Sequence, residues 1–79
     1  MRITQVSKLV GATTDEIRYL ESKGYIQSRR ILLMKRGVRD YAESEVRKIE
    51  LIIKYRREGF ELEAAYQKAL EELQRPRLI

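Results

Sequence analysis

Four glycines and one proline decide how this chain can be divided. Gly11, Gly24, Gly37 and Gly59 fall at intervals that cut it into short elements, and Pro76 stands near its end. No repeat, low-complexity tract or interdomain linker interrupts the pattern, so the 79 residues read as one domain over 1–75 with a tail at 76–79. Folding buries only about 60 % of the surface that an unfolded chain of this size exposes. The core has to be economical.

Val6, Leu9 and Val10 share a helical face between Thr4 and Val10, and Gly11 is placed to end that first helix in a left-handed conformation. Thr13-Thr14-Asp15-Glu16 reads as a capping box, with the Thr13 hydroxyl on the Glu16 amide and the Glu16 side chain reaching back. A second helix is expected over 14–23, burying Ile17 and Leu20. Tyr25 to Tyr41 has no 3.6-residue period. It carries Lys35-Arg36-Gly37, where Gly37 is expected to supply a positive φ at a hairpin tip between Met34 and Gly37. Ser44 or Glu43 is expected to cap a third helix with Val46, Ile49, Ile52 and Ile53 on one stripe. After Gly59 the residues Leu62, Ala65, Tyr66, Ala69, Leu70 and Leu73 give a fourth amphipathic helix that packs on the third. The fold class this implies is mainly α: two short helices, a β-hairpin wing and two further helices, a winged helix-turn-helix.

With neither cysteine nor histidine, thiol chemistry and Cys/His metal sites are excluded, and no phosphate-cradling glycine loop is present. The expectation is a non-enzyme without cofactor or metal. No apolar run approaches the roughly 20 residues of a membrane span, and Met1-Arg2-Ile3 leads straight into a helical pattern, so a cytoplasmic place at the nucleoid is expected. The net charge of +5 is one-sided. Residues 1–40 hold nine basic and four acidic residues, whereas residues 41–79 hold eight of each. Such asymmetry points to a polyanionic partner.

Two short helices crossing at a tight turn leave one face of the second free to enter a DNA major groove. Val6, Ser7, Val10, Gly11, Ala12, Ile17 and Leu20 meet the packing needs of that motif, and the free face of the second helix presents Thr13, Thr14, Asp15, Arg18, Tyr19 and Ser22. Ile3-Thr4-Gln5-Val6-Ser7-Lys8-Leu9, then Ile17-Arg18-Tyr19-Leu20-Glu21 before Gly24, Gly37-Val38-Arg39-Asp40-Tyr41, and Gly59-Phe60-Glu61-Leu62-Glu63 resemble, in order, four motifs of the MerR-type regulators. The resemblance implies double-stranded DNA as partner, with RNA polymerase beside it on a promoter. Helix 14–23 would lie in the major groove and the wing, 28–41, on the backbone. The expected contacts are Thr13, Thr14, Arg18 and Tyr19 from the helix, and Arg29, Arg30, Lys35, Arg36, Arg39 and Tyr41 from the wing. Arg39 and Tyr41 are expected to alternate onto one strand face.

The sequence departs from the family at several points. Leu20 replaces the signature's second aromatic and Val38 the wing's first tyrosine, while Asp15 and Glu16 put acid at the start of the DNA-facing helix. The family's long pairing helix and effector domain are not in this sequence, which leaves open a minimal member or a domain of a longer protein. Two other readings stand beside the regulator: an excisionase-like or phage packaging-type architectural protein, and a protein-interaction module. Ile31, Leu32, Leu33 and Met34 are the reason for the last. Alternation would turn two of the four inward, and either all four cover the hairpin and the fourth helix or one pair forms a strip for a second copy or another protein.

Overall fold

In a computed structural model, which describes residues 1–75, the elements follow the expected order: α1 (Ile3–Val10), α2 (Thr14–Ser22), β1 (Arg29–Leu33), β2 (Arg36–Asp40), α3 (Glu43–Arg57) and α4 (Leu62–Gln74). The expected tail at 76–79 lies outside the described residues.

Gly11 closes α1 at φ 72°, its amide donating to the Ser7 carbonyl. Arg57, from the end of α3, donates to the Gly11 carbonyl and ties the two helix ends together. Only Val6 and Val10 of α1 are buried, and Leu9 is exposed. An eight-residue helix resting on α2 and α3 buries one narrow stripe, and Leu9 falls outside it. The capping box of α2 forms as expected, with the Glu16 amide 3.0 Å from Thr13 Oγ1 and the Thr13 amide 3.1 Å from Glu16 Oε1. Ile17 and Leu20 enter the core.

α3 runs through the middle of the domain, with α1 on one side and α4 on the other. That double contact buries Leu51 in addition to Val46, Ile49, Ile52 and Ile53. Its N-cap is Ala42, without a side-chain cap, and Glu43 and Ser44 lie within its first turn instead. Glu43 and Glu45 there, and Lys54, Arg56 and Arg57 in the last turn, complement the helix dipole. α4 presents Ala65 and Ala69, both fully buried, which lets it approach α3 closely. Leu73, expected on the same stripe, is exposed near the helix end. Tyr55 donates to Glu72 Oε1 at 2.9 Å and bridges the two helices.

The hairpin departs most from expectation. Its antiparallel register pairs Leu33 with Arg36 and Leu32 with Gly37, so the loop is the two-residue turn Met34-Lys35. Those two residues, at φ 48° and 67°, supply the positive φ values assigned above to Gly37. This is the geometry that suits the twist of a two-residue hairpin, and non-glycine residues adopt it at a cost. None of the four apolar residues turns inward, because the hairpin projects from the helical body and every residue of β1 is exposed.

Lys35→Gly is expected to relieve about 1 kcal/mol of left-handed strain. Amide hydrogen exchange within β1 and β2 should then slow by roughly fivefold. Unchanged exchange would show that the turn carries no such strain.

Candidate nucleic-acid interface

The exposed side of α2 divides at Arg18 and Tyr19, which are neighbours in sequence and therefore about 100° apart around the helix. Tyr19 lies on the flank towards α3 and α4, where it lines a groove of about 310 Å³ with Leu20, Ile53, Arg56 and Leu62. Its ring lies 5.5 Å from Lys23 Nζ. Arg18 lies on the flank towards the wing, at 3.6 Å from the exposed Asp15 carboxylate, a surface pair that holds it weakly. Thr13 and Thr14 stand at the start of the helix, Thr13 as its cap.

On the wing side a cleft of about 240 Å³ is lined by Arg2, Ile3, Thr4, Arg18, Val38 and Arg39. It gathers three guanidinium groups from three parts of the chain: the N-cap of α1, the middle of α2 and strand β2. The positive end of the α1 dipole adds to them. Arg2 was missing from the contact residues expected from sequence, because the helical pattern was read from Thr4. The available signal was a basic residue directly before a helix start in the acid-poor half of the chain.

One carboxylate organises the wall of this cleft. Glu21, on α2, accepts from the Tyr41 hydroxyl at 2.7 Å and from Ser28 Oγ at 3.0 Å, and pairs with Arg39 Nε at 3.3 Å. Glu21 thus holds Arg39 at its Nε while the side chain stays 41 % exposed. The expected DNA contact at Tyr41 is corrected here. β2 ends at Asp40, and the Tyr41 ring, 1 % exposed, turns into the core while its hydroxyl is taken by Glu21. A ring of this size gains more from burial than from a surface position. Burial first, then the hydrogen bond to Glu21 and its charge, pushes the Tyr41 phenol up to about 12.

The base of the wing has a second tie. Asp40 accepts from the Met1 ammonium at 2.7 Å and from Arg29 Nε at 3.0 Å, and these two cations, in that order, hold its carboxyl below the usual carboxylate range. Arg29 is therefore anchored at its Nε. Arg30, opposite Arg39 in the ladder, is exposed, as are Lys35 and Arg36 at the tip. The structure thus brings Arg2, Arg18 and Arg39 together, sets Arg30, Lys35 and Arg36 further out along the wing, and leaves Tyr19 on the opposite flank of α2.

Residues 1–72 match the family model described as MerR HTH family regulatory protein. No curated protein matches the chain.

Because the folded state favours the neutral Tyr41 phenol, the stability it contributes is complete below its ordinary value of 10 and is lost as the pH rises from there to about 12. Phenolate absorbance is expected to show a native titration step near pH 12 that Tyr41→Phe abolishes. Glu21→Gln, which keeps an acceptor but removes the charge, should shift that step downward. A step that stays in place would mean that burial alone sets it.

Proposed function

The chain belongs to the MerR family of helix-turn-helix regulatory proteins, and we propose that it is a sequence-specific DNA-binding module that acts in transcription. Helix-turn-helix domains of this family bind double-stranded DNA and are not enzymes. In the proposed complex α2 enters the major groove, presenting Thr13, Thr14 and Arg18 to base edges and phosphates, with Tyr19 on the far flank. The wing lies along the neighbouring backbone with Arg29, Arg30, Lys35, Arg36 and Arg39. On a promoter the module would act beside RNA polymerase. No helix among the described residues is long and apolar enough to cross a membrane, and the reading places the protein in the cytoplasm, at the nucleoid.

The observation that carries this reading is the cleft between α2 and the wing. Arg2, Arg18 and Arg39 line it together. A phosphate there would accept charge-assisted hydrogen bonds from several elements at once, which fixes the register of α2 in the groove. Asp15 and Glu16 at the start of α2 repel phosphates but suit the helix dipole. These acids weigh against base reading by the first turn of α2, where Glu16 is taken up by the capping box and Asp15 by Arg18, although an acid there can still accept from a cytosine amino group.

Selection of bound sites from random duplexes is expected to return a defined sequence. If five to seven cations neutralise phosphates, log affinity against log salt should fall with a slope of about −5 to −6. Arg2→Ala, Arg18→Ala and Arg39→Ala should each flatten that slope by about one. Salt-independent binding would refute the DNA reading, and slopes unchanged in all three variants would refute the cleft as its phosphate site.

A further inference from the structure

The DNA contacts proposed above leave two surfaces unused, one on each flank of α2. On the flank away from the wing, the groove of about 310 Å³ runs between α2 and the pair α3 and α4. Tyr19, 52 % exposed, and Leu62 give it apolar surface, and the exposed Asp15 and Glu16 stand on its rim. Arg56, which also lines it, is engaged elsewhere, its Nη1 donating to the Phe60 carbonyl at 3.0 Å. Acids at this place repel phosphates, so they suit a cationic partner other than DNA. On the flank towards the wing, the hairpin projects from the helical body and ends in Leu32 and Met34, 77 % and 89 % exposed, beside the exposed Arg30, Lys35 and Arg36. The groove and the wing-side cleft share no lining residue. The tip of the wing therefore stands clear of the groove of its own chain.

We propose that the groove between α2 and the pair α3 and α4 receives the wing tip of a second copy of this chain, so that copies on neighbouring DNA sites join head to tail. The proposal rests on the DNA-binding reading and adds to it a contact between bound copies. Charge complementarity selects the occupant. Two tips meeting would oppose like cationic rims, whereas a tip meeting the groove sets Lys35 and Arg36 against Asp15 and Glu16 and places Leu32 and Met34 on Tyr19 and Leu62. Each copy carries one tip and one groove on opposite flanks of α2. The contact is therefore heterologous, and it repeats along the duplex without closing into a ring. A two-stranded tip is too narrow for the ~1,000 Å² that a stable interface needs. Free copies thus stay apart, and DNA supplies the missing term by holding two copies side by side. A contact with a Kd of about 0.1 mM gives about tenfold cooperativity when the effective concentration on the duplex is about 1 mM.

The test uses duplexes that carry one or two copies of a site selected by the wild-type protein from random sequence, the two copies in the same or in inverted orientation and separated by a stepwise varied spacing. Cooperativity is read as the affinity for the second site relative to a single site, so that any change in intrinsic DNA affinity cancels. Wild-type protein is expected to show about tenfold cooperativity at one spacing in the same orientation and none on inverted sites. Leu32→Ser combined with Met34→Ser, which alters the tip, and Tyr19→Ser, which alters the groove, should each abolish it. An equal mixture of the two should regain about threefold, because one of the four arrangements on two sites joins an intact tip to an intact groove. Asp15→Asn, a milder change that carries the test of the groove if Tyr19→Ser fails to fold, should lower cooperativity severalfold. Tight single-site binding without cooperativity in the same orientation, cooperativity confined to inverted sites, or cooperativity that survives both variants would overturn the contact and leave the DNA reading standing. Loss in each variant without recovery in the mixture would overturn the pairing of tip with groove. Absence of any duplex binding by wild-type protein would overturn the DNA reading itself, and the contact with it.

Discussion

The carboxylate of Glu21 joins the helix that would read DNA to the wing that would flank it. The hairpin has almost no apolar packing against the helical body, so hydrophobic burial, which has no direction, cannot set its angle. Hydrogen bonds at its base do so instead. Ser28 approaches Glu21 from before β1, Arg39 from within β2 and Tyr41 from just after it. Met1 and Tyr41 exchange further bonds, the Tyr41 amide donating to the Met1 carbonyl at 2.7 Å and the Met1 ammonium to the Tyr41 carbonyl at 2.9 Å. Gln27 adds one more, its amide donating to Glu45 Oε1 at 2.7 Å. The wing is therefore held at its root and free at its tip.

This division follows from the small size of the domain. α3 packs against both α1 and α4, and its branched and aliphatic residues supply five of the buried core positions. Alanines on α4 bring that helix close, and the aromatic rings of Tyr25 and Tyr66, with centroids 4.5 Å apart, cover the edge where α4 meets the start of the wing segment. Of the other apolar residues of the hairpin, Val38 is half-buried beside Ile3, and Ile31 to Met34 remain exposed. Tyr41 is the exception because it sits at the root, where the chain turns into α3, and it connects the core to the polar node at Glu21.

Local chemistry made much of this legible in the sequence. The capping box at Thr13 and Glu16 and the stop at Gly11 depend on neighbouring residues only, and both formed as expected. Helical periodicity located four helices, although it placed Leu9 and Leu73 on buried stripes, since a stripe shows which face is apolar and not how far the neighbouring element extends. The turn was misplaced for a related reason. Glycine marks where a positive φ is cheap, yet the register of the hairpin put that requirement on Met34 and Lys35. Strand alternation had assumed a core beneath the wing, and none lies there. The cleft was half legible: Arg18 and Arg39 stand in recognisable motifs, whereas Arg2, marked locally only as a basic residue before a helix start, meets Arg39 because Met1 is bonded to Asp40 and Tyr41 at the far end of the wing segment.

An apolar hairpin that projects into solvent is ordinarily a liability, because exposed strands with sticky side chains pair with one another. The cations around Ile31 to Met34 counter this by keeping like tips apart, as charged residues do beside apolar strands that cannot be removed. The same charges draw in a polyanion. Protection from self-association and attraction to DNA are then one electrostatic property of the wing, and both weaken together as salt screens it over a Debye length of about 8 to 10 Å at moderate ionic strength. An apolar tip within a basic rim is thus kept from pairing with its like.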